Sequence, residues 1–276
     1  MALNVVSSDR LSTNVKTSNL ATGLSDKVGQ SKNIVINGDF QIAQRATTST
    51  TSGYASVDRF AVDFSGTDEA CTQAQVDVTA ATTPYTKGFR KALKITNGNQ
   101  TGGAGTTDYV RIRHVFEAQN LANSGWDFKS SSSYITFSFW IKSSVAQNFY
   151  GFFRNSDGTM YQYPFETGSL SADTWTKVTK TIPGNTNLTL NNVNTAGLEL
   201  YLHAFAGTGE TASGVGLNAW ATYSGTAKMP DFTSTWYTTN DATMEVTGFQ
   251  LEVGDTATEF EHRSYGEELS RCQRYY

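Results

Sequence analysis

Between Ser133 and Lys142 the chain alternates with a period of two. Ile135, Phe137, Phe139 and Ile141 fall on one side, and Tyr134, Thr136, Ser138 and Trp140 on the other. A helix returns to the same face only every three to four residues, so this stretch can bury its large apolar side chains together only as a strand. The pattern recurs. Val110, Ile112, His114 and Phe116 alternate with Tyr109, Arg111, Arg113 and Val115, and Leu198, Leu200 and Leu202 alternate with Glu199, Tyr201 and His203. Ile34–Ile36, Tyr54–Phe64 and Lys91–Thr96 read as further strands, with Asn37-Gly38, Asn97-Gly98 and the glycine-rich run 101–106 between them as turns and loop. Short strands at this spacing, with almost no helical period before Ser264, predict an all-β fold, a jelly-roll β-sandwich. Ile135, Phe137, Phe139, Leu198, Leu200 and Leu202 are its expected core.

Residues 1–32 have another character: few aromatics, much Ser, Thr and Asn, and irregularly spaced Leu11, Val15, Leu20, Leu24 and Val28. No part of it can fold alone. It reads either as a disordered leader or, the expectation preferred here, as an N-terminal extended arm for attachment or assembly, with residues 33–276 forming one domain.

The end of the chain is the exception to the β pattern. From Met244 to Val253 the alternation slips once, at Gly248, which predicts a strand with a bulge. Ser264 stands three residues before Glu267, a capping box, and opens a short C-terminal helix. Tyr265, Leu269, Cys272 and Tyr276 follow as an apolar stripe. A helix shorter than about 12 residues is marginal alone, so the stripe must dock, either back onto the chain's own sheet or, as expected here, as an oligomer contact.

Composition excludes several function classes. Charged residues are 17% and the net charge is −4, so neither nucleic acid nor an anionic membrane surface is an expected partner. No apolar run approaches the roughly 18 residues of a membrane span. The first residues lack the basic start and apolar core of a signal peptide, so export by that route is not expected. Cys71 and Cys272 lie far apart without a CxxC spacing, and a reduced pair is expected. There is no nucleophile elbow, P-loop or HExxH. Glu259 and Glu261 are two apart and share a strand face, whereas glycosidase carboxylates flank the bond from opposite sides. No catalytic residue is proposed, no cofactor is required, and the chain is not expected to be an enzyme.

Surface recognition remains. Sugar sites pair aromatic rings, which cover the apolar face of a pyranose, with amides and carboxylates that bond its hydroxyls. Tyr161 and Tyr163 share one strand face, and Trp126, Trp220, Tyr223, Trp236 and Tyr237 lie in loops. The long Gly-rich stretch Ala212–Asp241 carries four of these seven. Against each stands core packing, since aromatics are more often buried than ligand-binding.

Several segments resemble a known family. Asn33-Ile34-Val35-Ile36-Asn37-Gly38-Asp39-Phe40-Gln41-Ile42 with Asp58-Arg59-Phe60, the strands Phe137–Ser143 and Thr174–Val178, and above all Gly248-Phe249-Gln250-Leu251-Glu252-Val253-Gly254, Ala257–Glu261 and Cys272-Gln273-Arg274-Tyr275-Tyr276 are similar to bacteriophage fibre and receptor-binding virion proteins that carry a carbohydrate-binding-module-like jelly roll. The likeness spans residues 33–276. It implies a homotrimer on the virion surface, assembled in the host cytoplasm with other virion proteins, and host surface polysaccharide as ligand. It also implies a structural calcium ion near the first and last strands, where Asp39 and Glu252 stand, a structural role for Glu261 in the closing corner, and recurrence of Trp220. Open alternatives are a non-viral carbohydrate-binding module or enzyme accessory, and a capsid cement or spacer that binds no sugar.

Overall fold

The computed structural model describes residues 32–276; apart from Lys32, the expected arm lies outside the described residues. The strands are β1 (Thr48–Ser49), β2 (Phe60–Ser65), β3 (Thr72–Asp77), β4 (Lys91–Thr96), β5 (Tyr109–Glu117), β6 (Tyr134–Ser143), β7 (Asn148–Asn155), β8 (Tyr161–Ser169), β9 (Thr176–Pro183), β10 (Ala196–Ala206), β11 (Ala221–Thr222) and β12 (Thr243–Val253). Short helices α1 (Thr83–Thr86), α2 (Ala118–Ala122) and α3 (Thr235–Thr238) sit in connections, and α4 (Tyr265–Gln273) closes the chain. The strands form two six-stranded sheets, β1-β3-β4-β12-β6-β9 and β11-β8-β7-β10-β5-β2. The paired strands run antiparallel, and the chain crosses repeatedly between the sheets. This is the jelly-roll sandwich that the alternation predicts. None of the described helices is long and apolar enough to cross a membrane.

The inner faces meet in one core, and all six expected core residues are in it. Its centre is aromatic. The Phe249 ring lies 5.4 Å from Phe40, 5.5 Å from Phe60, 5.3 Å from Phe137 and 5.2 Å from Phe139, each at an edge-on angle. Phe249 reaches this position because of the predicted bulge. The β12–β6 register shifts between Thr247 and Gln250, and Gly248 takes φ 68°. One extra residue reverses the parity of the strand. Met244 and Val246 face inward before it, and Phe249 and Leu251 after it.

Strand β4 pairs with β12 only through Val246. Beyond the bulge the segment that begins at Asn33 takes over that edge. Ile34 N donates to Leu251 O at 2.8 Å, and Phe249 N donates to Gly38 O at 2.8 Å. The Asn33 side chain bonds Phe249 O at 3.0 Å and Leu251 N at 3.1 Å. Gly38 admits no side chain, since a Cβ there would stand 2.1 Å from Phe249 O. The stretch 34–36, expected as a strand, is instead held by these bonds and by Asn side chains. Likewise only Phe60–Ser65 of the expected 54–64 strand is regular.

Ser264 caps α4 as expected, its Oγ accepting from Glu267 N at 3.3 Å, while the Glu267 carboxylate pairs with Arg271 at 3.0 Å. Helix α4 docks on its own chain. Cys272 is 1% exposed against Ile36 and Ile42, and Leu269 and Tyr275 lean on the same cluster. This corrects the expected oligomer stripe: Cys272 is spent inside the chain and Leu269 is half-buried, while only Tyr265 (57%) and Tyr276 (66%) remain exposed. Both cysteines are free and buried.

Phe249→Ala is expected to cost about 3–5 kcal/mol, because it opens a cavity where both sheets and the Asn33 segment meet. Tyr265→Ala is expected to stay within about 0.5 kcal/mol. Urea denaturation of the two variants checks both values.

Candidate functional site

The aromatics singled out from sequence separate into core and surface. Trp236 and Tyr237 have no exposed surface, and Trp126 and Tyr163 are buried in the same core. Their polar atoms are engaged inside. The Trp236 indole donates to Thr243 O at 3.1 Å, the Trp126 indole to Ser133 O at 3.3 Å, the Tyr163 hydroxyl to Thr181 O at 3.2 Å and the Tyr237 hydroxyl to Asp108 at 3.1 Å. A ring without an accessible face cannot cover a sugar, so these four are corrected from ligand candidates to core residues. Tyr161 shares the inner face with Tyr163, as the alternation requires, and is partly buried against the core. Trp220 leans on Tyr163 with ring centres 5.3 Å apart and donates its indole N–H to Pro183 O at 2.7 Å. Tyr223 alone reaches the other side of its sheet.

That outer face is where polar and aromatic groups converge. Two registers across the sheet define it: Ala61, Arg113, Tyr201, Phe152 and Pro164, and beside it Val115, Glu199, Arg154, Gln162 and Ala221. Arg113 Nε donates to Asp63 Oδ2 at 2.8 Å, and Arg154 Nη2 donates to Glu199 Oε2 at 2.6 Å. The Tyr201 hydroxyl also donates to Glu199. Guanidinium groups lie over rings throughout. Arg111 is 4.3 Å from the centre of Tyr109, Arg154 is 5.0 Å from Tyr223, and Arg113 is 5.3 Å from Tyr54. The segment between β10 and β12 closes one end of this face. Met229 and Phe232 pack on Phe152 and Tyr201, Lys228 pairs with Glu210 at 2.7 Å, and Gln162 donates to Ala227 O at 2.8 Å. Arg113, Arg154 and Tyr223 stay partly exposed.

Sequence reasoning missed these residues although their alternation was visible. Arg111, Arg113, Glu199 and Tyr201 are the outward half of strands chosen for their inward half. An arginine or carboxylate facing out of a strand is ordinarily solvated surface, and only the register places four strands' worth side by side.

The side chains of Asp39 and Glu252 are both hydrogen-bonded. Glu252 accepts from Thr258 N at 2.8 Å, Thr258 Oγ1 at 2.7 Å and Gln250 at 2.9 Å, and Asp39 accepts from Gln41. Among the described residues no three His, Cys, Asp or Glu side chains are grouped to hold a metal ion. Glu261 is the corner residue that the resemblance implies, accepting from Asn33 N at 2.7 Å and Arg263 at 3.1 Å.

No family model matches the chain, and no curated protein matches it. Among solved structures it is similar to the enzymatically active domain of tailspike protein 4 of bacteriophage CBA120, with 8% identity and TM-score 0.40 over 80% of this chain and 21% of that one. The chain thus spans about a fifth of that protein's length. It is also similar to the N-terminal cellulose-binding domain of Cellulomonas fimi β-1,4-glucanase C, with 8% identity and TM-score 0.34 over 79% of this chain and 99% of that one. A family 11 carbohydrate-binding module from Clostridium thermocellum gives 11% identity and TM-score 0.32, covering 77% and 96%. Likenesses this weak do not decide what the chain binds.

Two histidines are embedded near the site. His114 lies inside, between Phe60 and Phe116 at 4.6 Å each, and its Nδ1 is 3.2 Å from Arg59 O. His203 lies under the Met229 segment, 5.7 Å from the Phe152 ring, with neither nitrogen partnered. Burial holds both well below the usual histidine range, aided at His203 by Arg111 and Lys228, so both are neutral at pH 7. Their stabilising effect is therefore complete above the unfolded value of about 6.5 and is lost as pH falls below it, by up to about 1.4 kcal/mol per pH unit for each histidine. His203→Phe, which removes two unmet nitrogens, is expected to flatten the fall in melting temperature between pH 7 and pH 5 (about one to two units across the free histidine value). Thermal melts across that range check the change in slope.

Proposed function

We propose that the chain is a non-catalytic glycan-binding jelly roll whose site is the outer face of the sheet containing β5, β7 and β10. One observation carries the reading: a continuous outer-face lattice of rings, guanidinium groups and carboxylates that runs from Tyr54 through Arg113, Tyr201, Glu199 and Arg154 to Tyr223, in which Tyr54, Arg113, Arg154 and Tyr223 reach solvent over a buried Tyr201 and Glu199. This is the mixture that a pyranose needs, with ring faces for its C–H side and fixed donors and acceptors for its hydroxyls. Asp63 and Glu199 are each held by an arginine, which suits fixed acceptors better than a mobile acid and base.

The finer reading is a virion fibre protein that displays this face to host surface polysaccharide and assembles as a homotrimer. Its support is the sequence likeness of residues 33–276 to phage fibre proteins and the exposure of Tyr265 and Tyr276 at the end of the chain.

A glycan array probed with the full chain is expected to give a defined set of positive glycans. Tyr223→Ala and Arg113→Ala are each expected to weaken the best of them by roughly tenfold, the usual loss on truncating a contact worth about 1.4 kcal/mol, with little change in melting temperature. An empty array, or binding that neither variant alters, contradicts the reading.

A further inference from the structure

The outer face runs on, past β5, into a cleft of about 480 Å³ between the β2 entry and the end of α4. Val115 of the Glu199–Arg154 register lines it, and Arg59, one step before β2, donates its Nη2–H to Val115 O at 2.7 Å. Tyr54, 38% exposed, stands at its mouth. The volume is within the roughly 300–1,000 Å³ range of small-molecule sites.

The charges of the cleft are unevenly satisfied. It holds Arg45, Arg59 and Arg274 against Asp58 and Glu117. Glu117 is taken by Arg274 at 2.7 Å and Gln119 at 2.6 Å, and Asp58 is turned to the backbone and side chain of Gln44. Arg59 has no carboxylate partner among the described residues. Its guanidinium lies 3.6 Å from the centre of the Tyr275 ring, and its Nε is buried without an acceptor. A desolvated guanidinium with no anion is costly, and its fork geometry fits a carboxylate. The backbone also holds Arg59 at φ 72°, a conformation that an arginine rarely adopts.

We propose that this cleft is a subsite for a carboxylate-bearing pyranose, such as a uronate unit of an acidic polysaccharide, with the carboxylate on Arg59 and Arg45 and the ring against Tyr54. The proposal rests on the glycan-binding reading of the adjoining face and adds the charge class of the ligand. Asn194 and Thr195, which also line the cleft, supply polar groups for the remaining hydroxyls.

The test is calorimetric titration of the full chain with one uronate-containing oligosaccharide and its carboxyl-reduced form. The acidic form is expected to bind roughly tenfold tighter or more, the scale of one charge-assisted contact, with the advantage shrinking as salt is raised. Arg59→Met is expected to erase the difference and leave the affinity for the reduced form unchanged. Should that variant not fold, Arg45→Gln is expected to lower the preference in the same direction. Equal affinity for the two forms, or a preference that survives Arg59→Met and Arg45→Gln, overturns the proposal while leaving the glycan-binding face intact. If the reduced form does not bind and the acidic form binds but is indifferent to Tyr223→Ala, the adjoining face fails and the carboxylate subsite stands. Binding of neither form overturns both.

Discussion

The structure depends on a buried arginine. Arg263 is 4% exposed at its side chain and lies between Glu261 at 3.1 Å and Glu268 at 3.2 Å. It also donates to Val35 O at 3.1 Å and to Asn33 O. Glu261 in turn accepts from Asn33 N, 228 residues away, and Glu268 accepts from Asn37 N. Charges out of water are tolerated only when they are paired, and removal of one partner from a buried pair commonly costs about 3–5 kcal/mol. The ion pairs fasten the Asn33 segment to the edge of β12 and seat α4 on Ile36 and Ile42. The cleft depends on this seating, because α4 and the residues after it supply the Cys272, Arg274 and Tyr275 wall against which Arg59 stacks.

A second constraint sets the proposed binding face. The parity change at Gly248 keeps Phe249 and Leu251 in the core after Val246, so β12 closes the inner layer along its whole length. With the inner layer filled by aromatics, the β5–β10–β7 sheet turns a separate set of side chains outward, where ion pairs between neighbouring strands hold them in register. The long segment before β12 then shelters one end of that set, and His203 and Lys228 are enclosed with it. Cross-strand ion pairs that already hold these side chains would lower the cost of ordering them on a ligand.

The sandwich was legible because period-two alternation reports directly which side chains share a face. Phe137, Phe139, Leu198 and Leu202 needed nothing more. The bulge and the helix cap were legible for the same reason, since Gly248 and the Ser264–Glu267 pair are local signals. The sugar-site aromatics were not, because composition does not separate a loop tryptophan that closes a core, as Trp236 does, from one that meets solvent. The 34–36 segment was misread as regular strand because its partners, Phe249 and Leu251, lie more than two hundred residues away and bond partly to the Asn33 side chain. Arg59 is part of the Asp58-Arg59-Phe60 string that carries the resemblance, but nothing in the sequence marks it as a ligand-facing residue. Its importance arises from a cleft whose other walls come from the β5–α2 and α4 regions, and only the folded chain brings them together.

Backbone amide chemical-shift mapping, during titration of the full chain with a glycan that it binds, tests the central claim most directly. The account predicts that the largest changes fall on residues 111–117, 152–155, 199–203 and 222–224, with the Tyr54–Arg59 stretch responding to an acidic ligand. Changes confined to the opposite sheet's outer side, around Lys87, Trp140 and Phe260, would place the ligand elsewhere and contradict it.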